Sequence, residues 1–268
     1  MTNIINLKTP NALLDVSFYL HEQQWIIPPM VYPPHVADSL EFYILIDGNS
    51  SFSVENNLYK LSIGDIIVAK PNQVHNCILN STSVHKHLCF WFNPSSSFIF
   101  DKFLNIKSNL ISPPTDEKER LLDIYTELRI ASENGDEFKQ YSLIISMIEI
   151  IRRYADVDSP EQTAPPVLKE ILDDLNSSFK EINSLSYFTT KYSMSPSTLN
   201  RLFKEHLNTS PKLYLETKRL AYARILLKRG KSVLEACMEA GFPDYSNFIR
   251  TFKKRFKVTP NQYKNNEE

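Results

Sequence analysis

The chain is poor in the features that announce many chemistries. It has three cysteines in 268 residues, Cys77, Cys89 and Cys237, and none stands in a CxxC pair. So sparse and odd a set excludes a disulfide framework and fits a reducing compartment. Long apolar runs are also missing. The stretch from Leu143 to Ile151 falls far short of the ~20 residues that a membrane span needs. No N-terminal segment joins basic residues to an apolar run of signal length, because Leu7-Lys8-Thr9-Pro10 interrupts the first one. A soluble, cytoplasmic protein is expected. No GxSxG elbow, phosphate-binding P-loop or HExxH pair is present, and no catalytic residue and no cofactor is expected.

An excess of one charge is absent overall, yet the net charge of −1 hides an asymmetry. Residues 166–268 hold 18 Lys+Arg against 11 Asp+Glu, whereas residues 1–165 hold 12 against 20. An acidic half joined to a basic half predicts that only the second meets a polyanion. The length suits two domains, and 42% hydrophobic residues can fill a core in each.

The two halves differ in period. Residues 12–93 read as short strands parted by turn signals, such as Glu41 to Ile46 before Asp47-Gly48-Asn49, and His87 to Phe92 before Asn93-Pro94. That pattern predicts an all-β barrel or jelly roll. From about Asp116 the period becomes helical. Leu121, Ile124, Tyr125 and Leu128 form one stripe, and Tyr141, Ile144, Ile145, Ile148 and Ile151 form another after Asn134-Gly135-Asp136. These helices either cover the barrel or form a dimer surface. The polar, Pro-rich segment 156–166 has linker composition.

The last third repeats itself at an offset of 49 residues. Arg201-Leu202-Phe203-Lys204 is echoed by Arg250-Thr251-Phe252-Lys253, Ser197 by Ser246, Leu199 by Phe248, Ser210-Pro211 by Thr259-Pro260, and Tyr214 by Tyr263. Two copies cannot make a solenoid, so a duplicated module with two equivalent surfaces is the better reading. Each copy reads as helix, turn, helix. Ser195-Pro196 supplies a cap and a first-turn proline, and Gly241 and Asp244 stop one helix and start the next. With Leu199, Leu202 and Phe203 buried, Ser197, Asn200, Arg201 and Lys204 face outward. With Phe248, Phe252 and Phe256 buried, so do Tyr245, Ser246, Ile249, Arg250 and Lys253. Arg can grip guanine and Asn adenine in a major groove. Between the copies a helix from Ser210-Pro211 to Arg229, ended by Gly230, spans roughly 28 Å. Such a strut can hold two recognition helices about one DNA turn, ~34 Å, apart.

From Ser195 to Tyr263 the pattern SPSTLNRLFKEHLNTSPKLYL, then KRLAYARILL, then EAGFPDYSNFIRTFKKRFKVTPNQY resembles the AraC/XylS family of bacterial transcription regulators. The resemblance implies an α+β, two-domain chain: a cupin-like effector-binding and dimerisation domain over residues 1–155, a linker at 156–166, and a double helix-turn-helix DNA-binding domain over residues 167–268. It places Ser197, Asn200, Arg201, Tyr245, Ser246, Ile249 and Arg250 in groove-reading positions. It implies promoter DNA, RNA polymerase and a second copy of the chain as partners, and activation more than repression. Two turn positions depart from the family pattern, with Asn208 and Lys257 where glycine is usual.

Pro34-His35, Glu41, Gly48, Gly64-Asp65, Pro71 and His75 resemble the two short motifs of cupins. The second histidine of metal cupins is Ala37 here, which argues against a bound metal. The candidate effector residues are His35, Glu41 and His75 of this cupin-like pattern, Tyr43, and His87 and Trp91, which share one strand face with His85 and Cys89. Aromatic walls with a few polar groups suit a compact organic effector such as a sugar. The competing class is a metal-dependent cupin enzyme carrying an accessory nucleic-acid-binding module.

Overall fold

The computed structural model describes residues 2–8, 15–24, 33–79, 84–92, 101–157 and 164–265. Among the described residues nine strands come first: β1 Thr2–Lys8, β2 Asp15–Gln24, β3 Leu40–Asp47, β4 Ser50–Val54, β5 Asn57–Lys60, β6 Ile66–Ala69, β7 His75–Leu79, β8 Val84–Phe92 and, after the short helix α1 Asp101–Leu104, β9 Leu110–Ile111. They form a six-stranded sheet in the order β1-β2-β8-β3-β6-β9 and a three-stranded sheet in the order β5-β4-β7. Among the described residues the expected barrel or jelly roll is built as two sheets.

β3 is buried along almost its whole length, and its period-2 alternation sorts its side chains between two cores. Leu40, Phe42 and Ile44, with Leu88, Phe90 and Phe92 of β8, join a cluster with helices α2 Thr115–Glu133 and α3 Glu137–Tyr154. Tyr43 and Leu45, with Cys89, join a second cluster with Phe52, Val54 and Cys77 of the smaller sheet. The odd-numbered face of β3 and β8 thus lines the space between the sheets. α2 and α3 cover the opposite face, as one of the two readings of their stripes required. Ile145, read as part of the second stripe, is half exposed. Met147 and Ile150 are buried instead. Among the described residues no helix is long and apolar enough to cross a membrane.

Residues 158–163 of the expected linker lie outside the described residues. Beyond them run α4 Pro166–Ser178, α5 Ser186–Lys191, α6 Pro196–Leu207, α7 Pro211–Lys228, α8 Val233–Glu239, α9 Tyr245–Phe256 and α10 Pro260–Asn265. α7 is the central strut, 18 residues or about 27 Å long. Its Tyr214 and Leu215 pack into a cluster with α4, α5 and α6, while Leu220, Ala223, Leu226 and Leu227 pack into one with α8 and α9.

The halves are not independent. Leu58, Val74 and Ile78 of the β-rich half belong to the same apolar cluster as Leu168, Phe203 and Leu207. Asn76 donates to the Leu207 carbonyl at 3.0 Å, and the Tyr214 hydroxyl donates to the Glu55 carbonyl at 2.7 Å. Lys218 pairs with the Glu55 carboxylate and Arg224 with Asp38.

Candidate functional site

Two regions hold the residues singled out from the sequence. The first is a pair of helices. α6 is opened by Ser195, whose hydroxyl accepts from the Thr198 amide at 3.1 Å, with Pro196 at its first position. α9 is opened by Asp244, whose carboxylate accepts from the Asn247 amide. Leu199 and Phe203 anchor α6, and Phe248 and Phe252 anchor α9. That anchoring leaves Ser197, Asn200, Arg201 and Lys204 exposed on one helix, and Tyr245, Ser246, Arg250 and Lys253 exposed on the other. Ile249 differs, being half-buried against the α7–α8–α9 cluster.

Several of these side chains are held by their own helix. Asn200 donates to the Pro196 carbonyl at 2.9 Å, Arg201 meets Glu205 at 3.4 Å, Lys204 donates to Asn208 at 2.9 Å, and Arg250 donates to Asn247 at 2.9 Å. All are exposed, so exchanging these contacts for a nucleic-acid partner costs little. The turns that set the helices are under tighter constraint. Asn208 and Lys257 end α6 and α9 in the left-handed region, at φ 50° and 66°. The two positions that depart from the family's glycines thus keep the backbone a glycine would adopt. At Gly241, φ is +81° and a Cβ would collide with the Lys180 carbonyl oxygen.

The second region lies between the two sheets and extends to the segment preceding β3. His35 and His75 face one another as a backbone bridge, their rings 4.3 Å apart. His75 Nε2 lies 3.1 Å from Glu41 Oε2, and Trp91 Nε1 donates to the same oxygen at 2.8 Å. Burial by itself would raise the Glu41 carboxyl. The charge and hydrogen bond of His75, with His35 and Trp91, outweigh burial and hold it at about 2. Burial, then the charge of His75, lowers His35 to about 4. Burial works against the charge of His75 too, but Glu41 beside it raises this imidazole.

Next to this cluster the Tyr43 hydroxyl lies 3.2 Å from His85 Nε2 and 3.6 Å from Cys77 Sγ, and His87 Nδ1 lies 3.1 Å from His85 Nε2. Burial pushes the Cys77 thiol up to about 12, which makes it a neutral hydrogen-bonding partner and a poor nucleophile. The six candidates His35, Glu41, Tyr43, His75, His87 and Trp91 thus fall into two adjoining groups. Cys77 and His85 belong with them but were not counted. The signal was available, since His75 and Cys77 alternate along β7 as His85 and His87 do along β8.

The chain matches two family models. Residues 23–100 match an AraC-like ligand binding domain and residues 188–266 a helix-turn-helix domain. The HTH-type transcriptional activator RhaR of Mannheimia succiniciproducens is 22% identical over 279 residues, 98% of each chain. The virulence regulon transcriptional activator VirF of Yersinia enterocolitica is 37% identical over 79 residues, 29% of each chain. The solved structure of ToxT from Vibrio cholerae is 13% identical, covering 93% of this chain and 97% of its own, at a TM-score of 0.38.

Proposed function

Because this chain belongs to the AraC/XylS family of transcription regulators, we propose that it binds promoter DNA through α6 and α9 together, under the control of a small effector held by its N-terminal half. The observation that carries this reading is the pair of capped helices on one strut, each offering an exposed Arg, a Lys and small polar residues on a face away from its core. Residues 1–155 form the sensor and dimerisation unit, 156–166 the linker and 167–268 the DNA-binding unit. Ser197, Asn200, Arg201 and Lys204 read or anchor one half-site; Tyr245, Ser246, Ile249, Arg250 and Lys253 take the other. In the N-terminal half, Tyr43, His87 and Trp91 join His35, Glu41 and His75 as effector contacts. The effector shifts a dimer between two arrangements that differ in DNA affinity. The chain acts in the cytoplasm as an activator that engages RNA polymerase.

Selecting DNA fragments retained by the full-length chain from a random pool, with and without candidate sugars and other small effectors, tests the reading. Enrichment of one bipartite sequence that changes in yield with an effector is the expected result. Retention without sequence preference would contradict it.

A further inference from the structure

We propose that Asn247 is the positioning residue for Arg250, and that the two recognition helices therefore read DNA with unequal stringency, α9 being the stricter. This deepens the proposed function and rests on it. The two helices are copies of one module 49 residues apart, so corresponding positions can be compared directly. Both carry an exposed arginine, Arg201 on α6 and Arg250 on α9. What holds each arginine is not repeated. Thr198 and Glu205 stand where the second copy has Asn247 and Lys254.

Arg250 Nη2 donates to Asn247 Oδ1 at 2.9 Å, a partner about one turn nearer the start of the helix. Asn247 is itself held. It is half-buried and lines the cleft between the two modules beside Leu215, Phe242 and Pro243. Its Oδ1 also accepts from the Thr251 hydroxyl at 3.5 Å, and its backbone amide donates to the Asp244 cap. A recognition helix presents its N-terminal residues to base edges, so this tie aims the guanidinium at the groove. It uses one of five N–H donors and leaves four for a guanine.

Arg201 is held in the opposite sense. The Thr198 hydroxyl lies 2.8 Å from that of the cap residue Ser195, and Arg201 Nη1 donates to Glu205 Oε1 at 3.4 Å, about one turn nearer the end of α6. That contact draws the guanidinium away from the base edges and has to open before a base is reached. Arg201 is then ordered only on contact, and ordering one such side chain weakens binding roughly 2- to 10-fold. Arg250 is ordered beforehand. A loose arm can also swing to a phosphate when its guanine is replaced, whereas a held arm cannot, so the wrong base is penalised more by α9.

The test is competition binding of the full-length chain to the selected DNA and to its single-base variants. The preference lost in Arg250→Ala should exceed that lost in Arg201→Ala by roughly 2- to 10-fold. Asn247→Ala should lower preference by a similar factor, and only at the base pair that Arg250→Ala relaxes. Asn247→Asp, which keeps the acceptor, should retain that preference while weakening binding to every sequence alike. Thr198→Ala should leave the base pair read by Arg201 unchanged. Adding Asn247→Ala to Arg250→Ala should cost no further preference there, because the two residues act as one unit. Loss of affinity that is equal on all variants in Asn247→Ala would make its role merely structural. Loss at a different base pair would make Asn247 a direct reader. Either result, an additive double variant, or equal stringency of the two arginines would overturn the inference alone. Absence of sequence preference in the unaltered chain would overturn the proposed function and the inference with it.

Discussion

At the scale of single residues, two backbone positions in the repeated module make opposite demands. Lys257 holds φ 66° at the end of α9, a conformation that costs an L-residue about 1–2 kcal/mol. Glycine removes that cost but loses more entropy on folding. Lys257→Gly should therefore raise stability by about 0.5–1 kcal/mol, measured by denaturant unfolding of the full chain. Gly241 has the same sign of φ and no room, because the nearest atom is the Lys180 carbonyl oxygen. Gly241→Ala should cost roughly 1–3 kcal/mol, and an unchanged midpoint would mean that the α8–α9 turn is set by other contacts.

At the scale of elements, caps and alternation explain what the sequence disclosed. Ser195-Pro196 and Asp244 fixed the starts of α6 and α9, and each cap should be worth about 1 kcal/mol, so Ser195→Ala and Asp244→Ala should each lower the free energy of unfolding by that much. The strut was legible from Ser210-Pro211 and Gly230, although it ends one residue earlier than expected, at Lys228. Its own period was not legible, because Tyr214 and Leu215 face one cluster while Leu220, Ala223, Leu226 and Leu227 face another, which leaves no single apolar stripe. Ile145 misled for a related reason: an apolar side chain at near-helical spacing can still sit at the edge of a stripe, and here it is half exposed. Along β8, period-2 alternation pointed to the face carrying His85, His87, Cys89 and Trp91, whereas Glu41 came from the cupin-like pattern. It could not show that β7 would bring Cys77 and His75 across from the other sheet, since sheet pairing depends on contacts distant in sequence.

At the scale of the whole molecule, the charge asymmetry told which half meets DNA, but not that the halves share an apolar cluster and ion pairs. Leu58, Val74 and Ile78 pack with the helices around α6, and Glu55 and Asp38 are bound by Lys218 and Arg224. A fragment of residues 166–268 keeps the α7–α8–α9 cluster and should fold and bind DNA, with steep salt dependence from released counterions and no response to effector. Its thermal unfolding should fall below that of the same helices in the full chain, because the cover on α4 and α6 is gone. An unfolded fragment would show that the β-rich half is required to build the first helix-turn-helix. The central claim is that α6 and α9 read separate half-sites. Its most direct test is base-by-base binding of the full chain, Arg201→Ala and Arg250→Ala to single-substitution variants of the selected site. The account predicts that each substitution relaxes preference in one cluster of bases, by roughly 1–3 kcal/mol at the contacted base, and that the two clusters lie about one helical turn apart. Equal loss of affinity on every variant, from both substitutions, would contradict it and make both arginines phosphate contacts.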